Sequence, residues 1–298
     1  MYGLGIRIGY YLQWSGGLLA AWICPREVPT LRLTRTLFVA STFLALLTQV
    51  PEPGNLEVVE IYITLLFTFG SGLYLLPIFI WRLVTKGDPR KDPSRFPKAG
   101  PTSNAYNYSY GVLLVAVLSF QIWFWATRVD ALKEKSCVQY GFLFTKIVLH
   151  SKDFKILNLV YSSVVLLLVV GTCFVRPFLR LCRKGNSKST DLEVESTQYS
   201  HTLVLYYRTI DTVFKVLVAC IIVTATELCI HWNAIPNVNS IDSVGQTIPL
   251  VISIGTVVHM LYISWQDTRN SSNNTSFSRP RGEHHAEAWH HMPRMEMD

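Results

Sequence analysis

A few polar side chains stand inside or at the edge of long apolar runs, where an ionisable or amide group is costly unless it has a partner or a task. Glu60 opens the run 58–81, and Gln121 sits within the run 108–127. Asp211 and Lys215 fall four apart in the run 209–230, acid first, which is the favourable order for a pair on one helical face. Glu227 closes the same run and is followed by His231, Trp232 and Asn233; Gln246 precedes Pro249, and His259 lies inside the run 247–265. These residues are intramembrane or cap positions. Glu60 and Glu227 lie at interfacial depth, where water meets much of their burial cost. Asp211 with Lys215 is open between a buried pair facing the bundle and a snorkelling lysine. His259 reads as a helix–helix hydrogen bond. Asn233 and Gln246 stand where one helix must end and the next begin, so they read as caps.

No nucleophile, metal-protease, phosphate-loop or dinucleotide signature accompanies them, so the sequence suggests no enzyme. No catalytic, cofactor or metal set is expected. The six cysteines show no zinc spacing, and Cys173 and Cys220 read as small core hydrophobes. His284, His285, His290 and His291 stand in a polar tail and read as solvent-exposed.

The elements that must position these groups are helices in a membrane. The 298 residues are 50% hydrophobic and only 16% charged, against about 25% charged in soluble domains. The charges come in blocks separated by apolar runs. The net charge of +7 sits where the positive-inside rule places basic residues, which argues against nucleic acid as a partner. The expected fold is an all-α polytopic transmembrane bundle. Six spans are read at about 36–50, 58–81, 108–127, 156–175, 209–230 and 247–265. Gly70, Gly72 and Pro77 predict a kink and close packing in the second.

Residues 1–24 form an N-terminal amphipathic or re-entrant segment in this reading, because Arg7 and several glycines interrupt it; a seventh span is the alternative. The bundle covers 25–266, and 267–298 is expected to be a disordered polar cytoplasmic tail. Segment 137–149 is too apolar for a free loop and reads as re-entrant or as a packed extracellular hairpin.

Connections 51–57 and 231–246 hold no Lys or Arg, whereas 82–107 and 176–208 are basic. This alternation puts the basic loops in the cytoplasm and, with six spans, both termini there as well. Loop 128–155 dissents with Arg128, Lys133, Lys135, Lys146, Lys152 and Lys155. Trp81, Trp123, Trp125, Trp232 and Trp265 fall at span ends and are expected to form an interfacial belt.

Three stretches together resemble a group of uncharacterised fungal multi-pass membrane proteins. They are Tyr2-Gly3-Leu4-Gly5-Ile6-Arg7 with Gly9, Tyr11, Gln13 and Trp14; Cys137 to Phe142 with Phe144 and Asn158; and Glu227-Leu228, Trp232-Asn233, Ile235, Ile241, Gly245-Gln246 and Ile248-Pro249-Leu250. The resemblance implies several membrane helices and a fungal origin, and no activity. A non-enzymatic scaffold or sensor is the first functional reading. A small-solute or ion transporter or channel is the alternative, requiring mid-span polar groups to converge. A seven-span sensor requires residues 2–23 to cross with the N-terminus outside. The lipid bilayer, with anionic lipids at the basic loops, is the expected partner.

Overall fold

In a computed structural model of the chain, the structure describes residues 2–50, 56–86, 88, 91–93, 103–130, 138–171, 201–236, 238–241 and 244–277. Its helices are α1 (Leu4–Ile23), α2 (Val28–Gln49), α3 (Val58–Gly70), α4 (Leu75–Val84), α5 (Asn104–Trp123), α6 (Lys152–Val170), α7 (His201–Trp232) and α8 (Val244–Phe277). The strands β1 (Tyr140–Phe142) and β2 (Lys146–Val148) pair antiparallel as a small hairpin. The fold is an all-α polytopic bundle. Five helices are long and apolar enough to cross a membrane, and α3 with α4 makes a sixth if counted as one bent span.

Each helix follows from its sequence with local adjustments. The first expected span is not short: α2 begins at Val28, so Arg32 and Arg35 lie within the helix rather than ahead of it. The predicted kink appears as a 55° bend between α3 and α4, at Gly70 and Gly72. Pro77 falls in the first turn of α4, where proline breaks no helical bond. Helix α8 runs past residue 266 to Phe277, so the first part of the expected tail is helical. The rest of that tail, with its four histidines, lies outside the described residues, as do Cys137, Cys173 and Cys182. Cys220 is exposed on α7 rather than in the core. Trp125 also departs from expectation. A π-helical turn at Phe124–Arg128 re-aims the side chains that follow α5, and Trp125 is fully buried against Tyr62 and Phe154 rather than in an interfacial belt. Trp123 and Trp265 remain exposed.

The centre of the bundle is α1. It is one unbroken helix and makes no re-entrant turn. Gly3 and Gly5 meet Gln246, Gly9 meets Pro249 and Ser253, Gly16 meets Val257, and Ala20 packs with Met260. These contacts advance together, so α1 and α8 lie parallel along the whole of α1. On another face Tyr11 reaches Glu227 and Trp22 reaches Thr212, so α7 runs antiparallel to α1. Tyr10 stacks on Phe67 of α3 at 4.9 Å and sets its edge on Phe38 of α2 at 4.8 Å. Tyr2 therefore lies at the end of the bundle where α7 stops and α8 starts, opposite the C-terminal part of α8.

The glycines that weaken α1 in isolation are what let α8 approach. A Cβ on Gly5 would stand 2.3 Å from the backbone oxygen of Gln246, whereas one on Gly17 would meet nothing within 4 Å. Gly5→Ala is therefore expected to destabilise the protein by about 1–3 kcal/mol through overpacking. Gly17→Ala should be neutral or should stabilise by up to about 1 kcal/mol from helix propensity. Melting temperatures of the two variants in detergent test this; equal effects would refute the close contact.

Candidate functional site: a polar clasp and a basic cavity

Arg7 lies in the second turn of α1 with 1% of its side chain exposed, in surroundings that a guanidinium enters only with partners. A guanidinium carries five N–H donors and no acceptor, so it needs acceptors around it. Its Nη1 donates to Glu227 Oε2 on α7 at 2.6 Å. Its Nη2 donates to the backbone oxygen of Val238 at 3.0 Å and to Asn239 Oδ1 at 2.7 Å, both in the α7–α8 connection. The second oxygen of Glu227 accepts from Tyr11 Oη at 2.8 Å. One side chain thus ties together α1, α7 and the connection to α8.

A second set of bonds closes the neighbouring helix ends. Tyr2 Oη donates to Glu60 Oε1 at 2.7 Å, and Glu60 Oε2 accepts from the amide of Glu57 at 3.0 Å. The latter is the return half of a capping box at the start of α3. Burial and the adjoining Glu60 raise the Tyr2 hydroxyl above its ordinary pKa, so it stays a donor. Gln139, just before β1, completes the cap: Oε1 accepts from the amide of Val59 and Nε2 donates to Glu57 Oε2, each at 3.0 Å. Asn233 follows α7 directly. Its Nδ2 donates to the backbone oxygens of Cys229 at 2.7 Å and Tyr140 at 2.8 Å, and its Oδ1 accepts from the Tyr140 amide at 2.8 Å. Ala234 then turns into the left-handed region at φ 46°, the usual end of a helix. Arg128 Nη2 donates to the last carbonyl region of α2, at Val50 O, over 2.7 Å.

Of the positions singled out in the sequence, Glu60, Glu227, Asn233 and Gln246 therefore meet at one end. Asn233 is a C-terminal cap that also clamps the hairpin. Gln246 is no cap through its side chain: it lies in the first turn of α8 against Gly3 and Gly5, and its buried Oε1 has no hydrogen-bond partner among the described residues. Asp211 and Lys215 stand toward the opposite end. They are paired, with Asp211 5% and Lys215 29% exposed at the side chain, so this face of α7 points into the bundle. Gln121 is buried on α5, and its Oε1 is unpartnered among the described residues. His259 lies exposed on α8 and bridges no helices among the described residues.

The sequence left Arg7 open between an interfacial or re-entrant segment and a span, and it assigned no site role to Tyr2, Tyr11, Gln139 or Asn239. A charge in an otherwise apolar, glycine-rich segment was the available signal for Arg7. Its partner lies 220 positions away, and no spacing rule links the two. At the end opposite the clasp, α1, α2, α4, α5 and α7 enclose a cavity of about 300 Å³ lined by Arg32, Arg35 and Lys215 among other residues.

The clasp predicts non-additive mutants. Glu227→Gln should leave the buried Arg7 charge short of an acceptor and cost about 2–3 kcal/mol. That is below the 3–5 kcal/mol of a fully buried pair, because Glu227 is 46% exposed. Arg7→Met should harm comparably, and the double variant less than the sum. The readout is the folded fraction after graded heating in detergent, by size-exclusion chromatography; strict additivity would dismiss the clasp.

No family profile, curated protein or solved structure matches the chain.

Proposed function

We propose that the chain is a seven-span integral membrane protein that works as a sensor or scaffold without catalysis of its own, its clasp end outside and its cavity end in the cytoplasm. The observation that carries this reading is the course of α1. Its 20 residues extend about 30 Å, the thickness of the hydrocarbon layer, and they lie beside α7 and α8 throughout. If α7 and α8 cross, α1 crosses with them. The charge distribution supports the direction. The helix ends joined by the connections without Lys or Arg, 51–57 and 231–246, belong to the clasp end, whereas Arg26, Arg82, Lys86, Lys91 and Arg208 belong to the other. Three of the dissenting cations of 128–155 are engaged locally: Arg128 on Val50, Lys146 over the Tyr140 ring at 3.9 Å, and Lys155 on Asp130.

Kinship with the fungal multi-pass group is part of this reading. The three stretches that carry the resemblance meet through Arg7–Glu227, Asn233–Tyr140 and Gly5–Gln246, which supports treating them as one structural motif. A transporter is less well supported, because neither Gln121 nor His259 lines the cavity that Lys215 faces.

The test is sidedness in intact cells. An epitope joined ahead of Tyr2 and a cysteine at Ile241→Cys should both react with impermeant reagents from outside. A cysteine at Lys91→Cys should react only after permeabilisation. An N-terminal epitope protected while Ile241→Cys is labelled would remove α1 as a span.

A further inference from the structure

The cavity at the end opposite the clasp carries more positive charge than the described residues neutralise. Arg32 and Arg35 are one turn apart on α2 and both line it, with Lys215 from α7. Lys215 is held by Asp211. Among the described residues, no carboxylate forms an ion pair with Arg32 or Arg35, and the charges acting on Arg32 are Arg35 and the more distant Asp211. Three positive charges against one negative leave two in excess at a half-buried site, an arrangement that calls for an anion. The same wall holds a buried donor without use: the indole N–H of Trp14, whose residue is 3% exposed, has no acceptor among the described residues. Tyr106 fixes the arginine turn in place. Its hydroxyl contacts the backbone oxygen of Arg32 at 3.3 Å and Thr36 Oγ1 at 2.9 Å, pinning α5 to α2.

We propose that this cavity binds a phosphate group. Two guanidinium forks one turn apart match phosphate oxygens in a way that lysines do not. The remaining wall, with Leu18, Leu31 and Ile78, is apolar, and Leu75 on the lining is 43% exposed at the surface of the bundle. A phosphate carried by a lipid chain suits that wall, with the headgroup at the arginines and the chain leaving past Leu75. Free phosphate would use the same donors. The proposal deepens the sensor reading by giving it a ligand class, and it rests on that reading only for the side from which the ligand arrives. Binding to detergent-solubilised protein is independent of sidedness, so failure here and failure of the topology are separable.

The experiment uses the full chain in a neutral detergent and follows its melting temperature. The probes are dihexanoyl phosphatidic acid, dihexanoyl phosphatidylcholine and inorganic phosphate. Phosphatidic acid is expected to raise the melting temperature saturably, and phosphatidylcholine is not. Arg32→Gln with Arg35→Gln should weaken the binding by about ten-fold or more, the effect of losing charged hydrogen bonds. Lys86→Gln with Lys91→Gln, which removes as many charges from the nearby surface, should leave it unchanged. If the glutamine pair does not fold, Arg32→Lys with Arg35→Lys keeps the charge, removes the forks and should still weaken binding. Saturation by inorganic phosphate as strong as by phosphatidic acid would uphold the phosphate site and assign it to the free anion. No saturable shift with either phosphate source would overturn the proposal, and so would equal loss in the Lys86 and Lys91 variant.

Discussion

A guanidinium, with five N–H donors and no acceptor, is held at 1% exposure in this bundle, and its needs organise the helices around it. Arg7 takes a carboxylate from α7 and two oxygens from the α7–α8 connection, so α1 cannot dock without bringing both to the same place. Once they are there, Glu227 holds Tyr11, Asn233 holds the β-hairpin, and the hairpin supplies Gln139 to the start of α3. Gln139 and Asn233 also close helix ends, by taking the amide of Val59 and the carbonyl of Cys229, that would otherwise stay unpaired. The polar groups at this end thus form one connected system drawn from distant parts of the chain.

Charge alone does not hold α1 in the middle. In an apolar medium two helices gain little by hiding apolar surface from each other, so close backbone approach and dispersion must supply the attraction. The contact between α1 and α8 meets that condition through glycine at Gly3, Gly5, Gly9 and Gly16. The outer side of α8 remains apolar and exposed, with Val251 at 60% and Val258 at 58%, as a lipid-facing helix requires. Aromatic rings fill the other faces of α1, and the stack of Tyr10 on Phe67 joins it to α3.

Two local irregularities aim residues at the ends. The 55° bend after α3 separates the direction of the clasp-end half from that of α4, and α4 then supplies Leu75 and Ile78 to the basic cavity. The π turn after α5 brings Trp125 under the hairpin and leaves Arg128 free to reach Val50. The two ends of the molecule therefore differ in kind. At one, the charges that meet are matched with opposite charges and caps; at the other, two arginines stand with no carboxylate paired to them among the described residues.

The sequence by itself determined the class of fold and the approximate helices, because apolar runs of membrane length have few alternatives and each backbone group must bond within its own helix. It also marked the bend at Gly70 and Gly72, the packed hairpin near 137–149 and the Asp211–Lys215 pair, since all of these depend on neighbours a few residues away. Only the tertiary structure decided that α1 is central, that Arg7 answers Glu227, that Gly5 exists for Gln246, and that Arg32 and Arg35 face a cavity. Those pairings join positions far apart in the chain. A glycine that weakens a lone helix and a charge that disfavours burial change their meaning once a specific partner is in place. That partner is chosen by how the helices pack, and no local pattern in the chain records it.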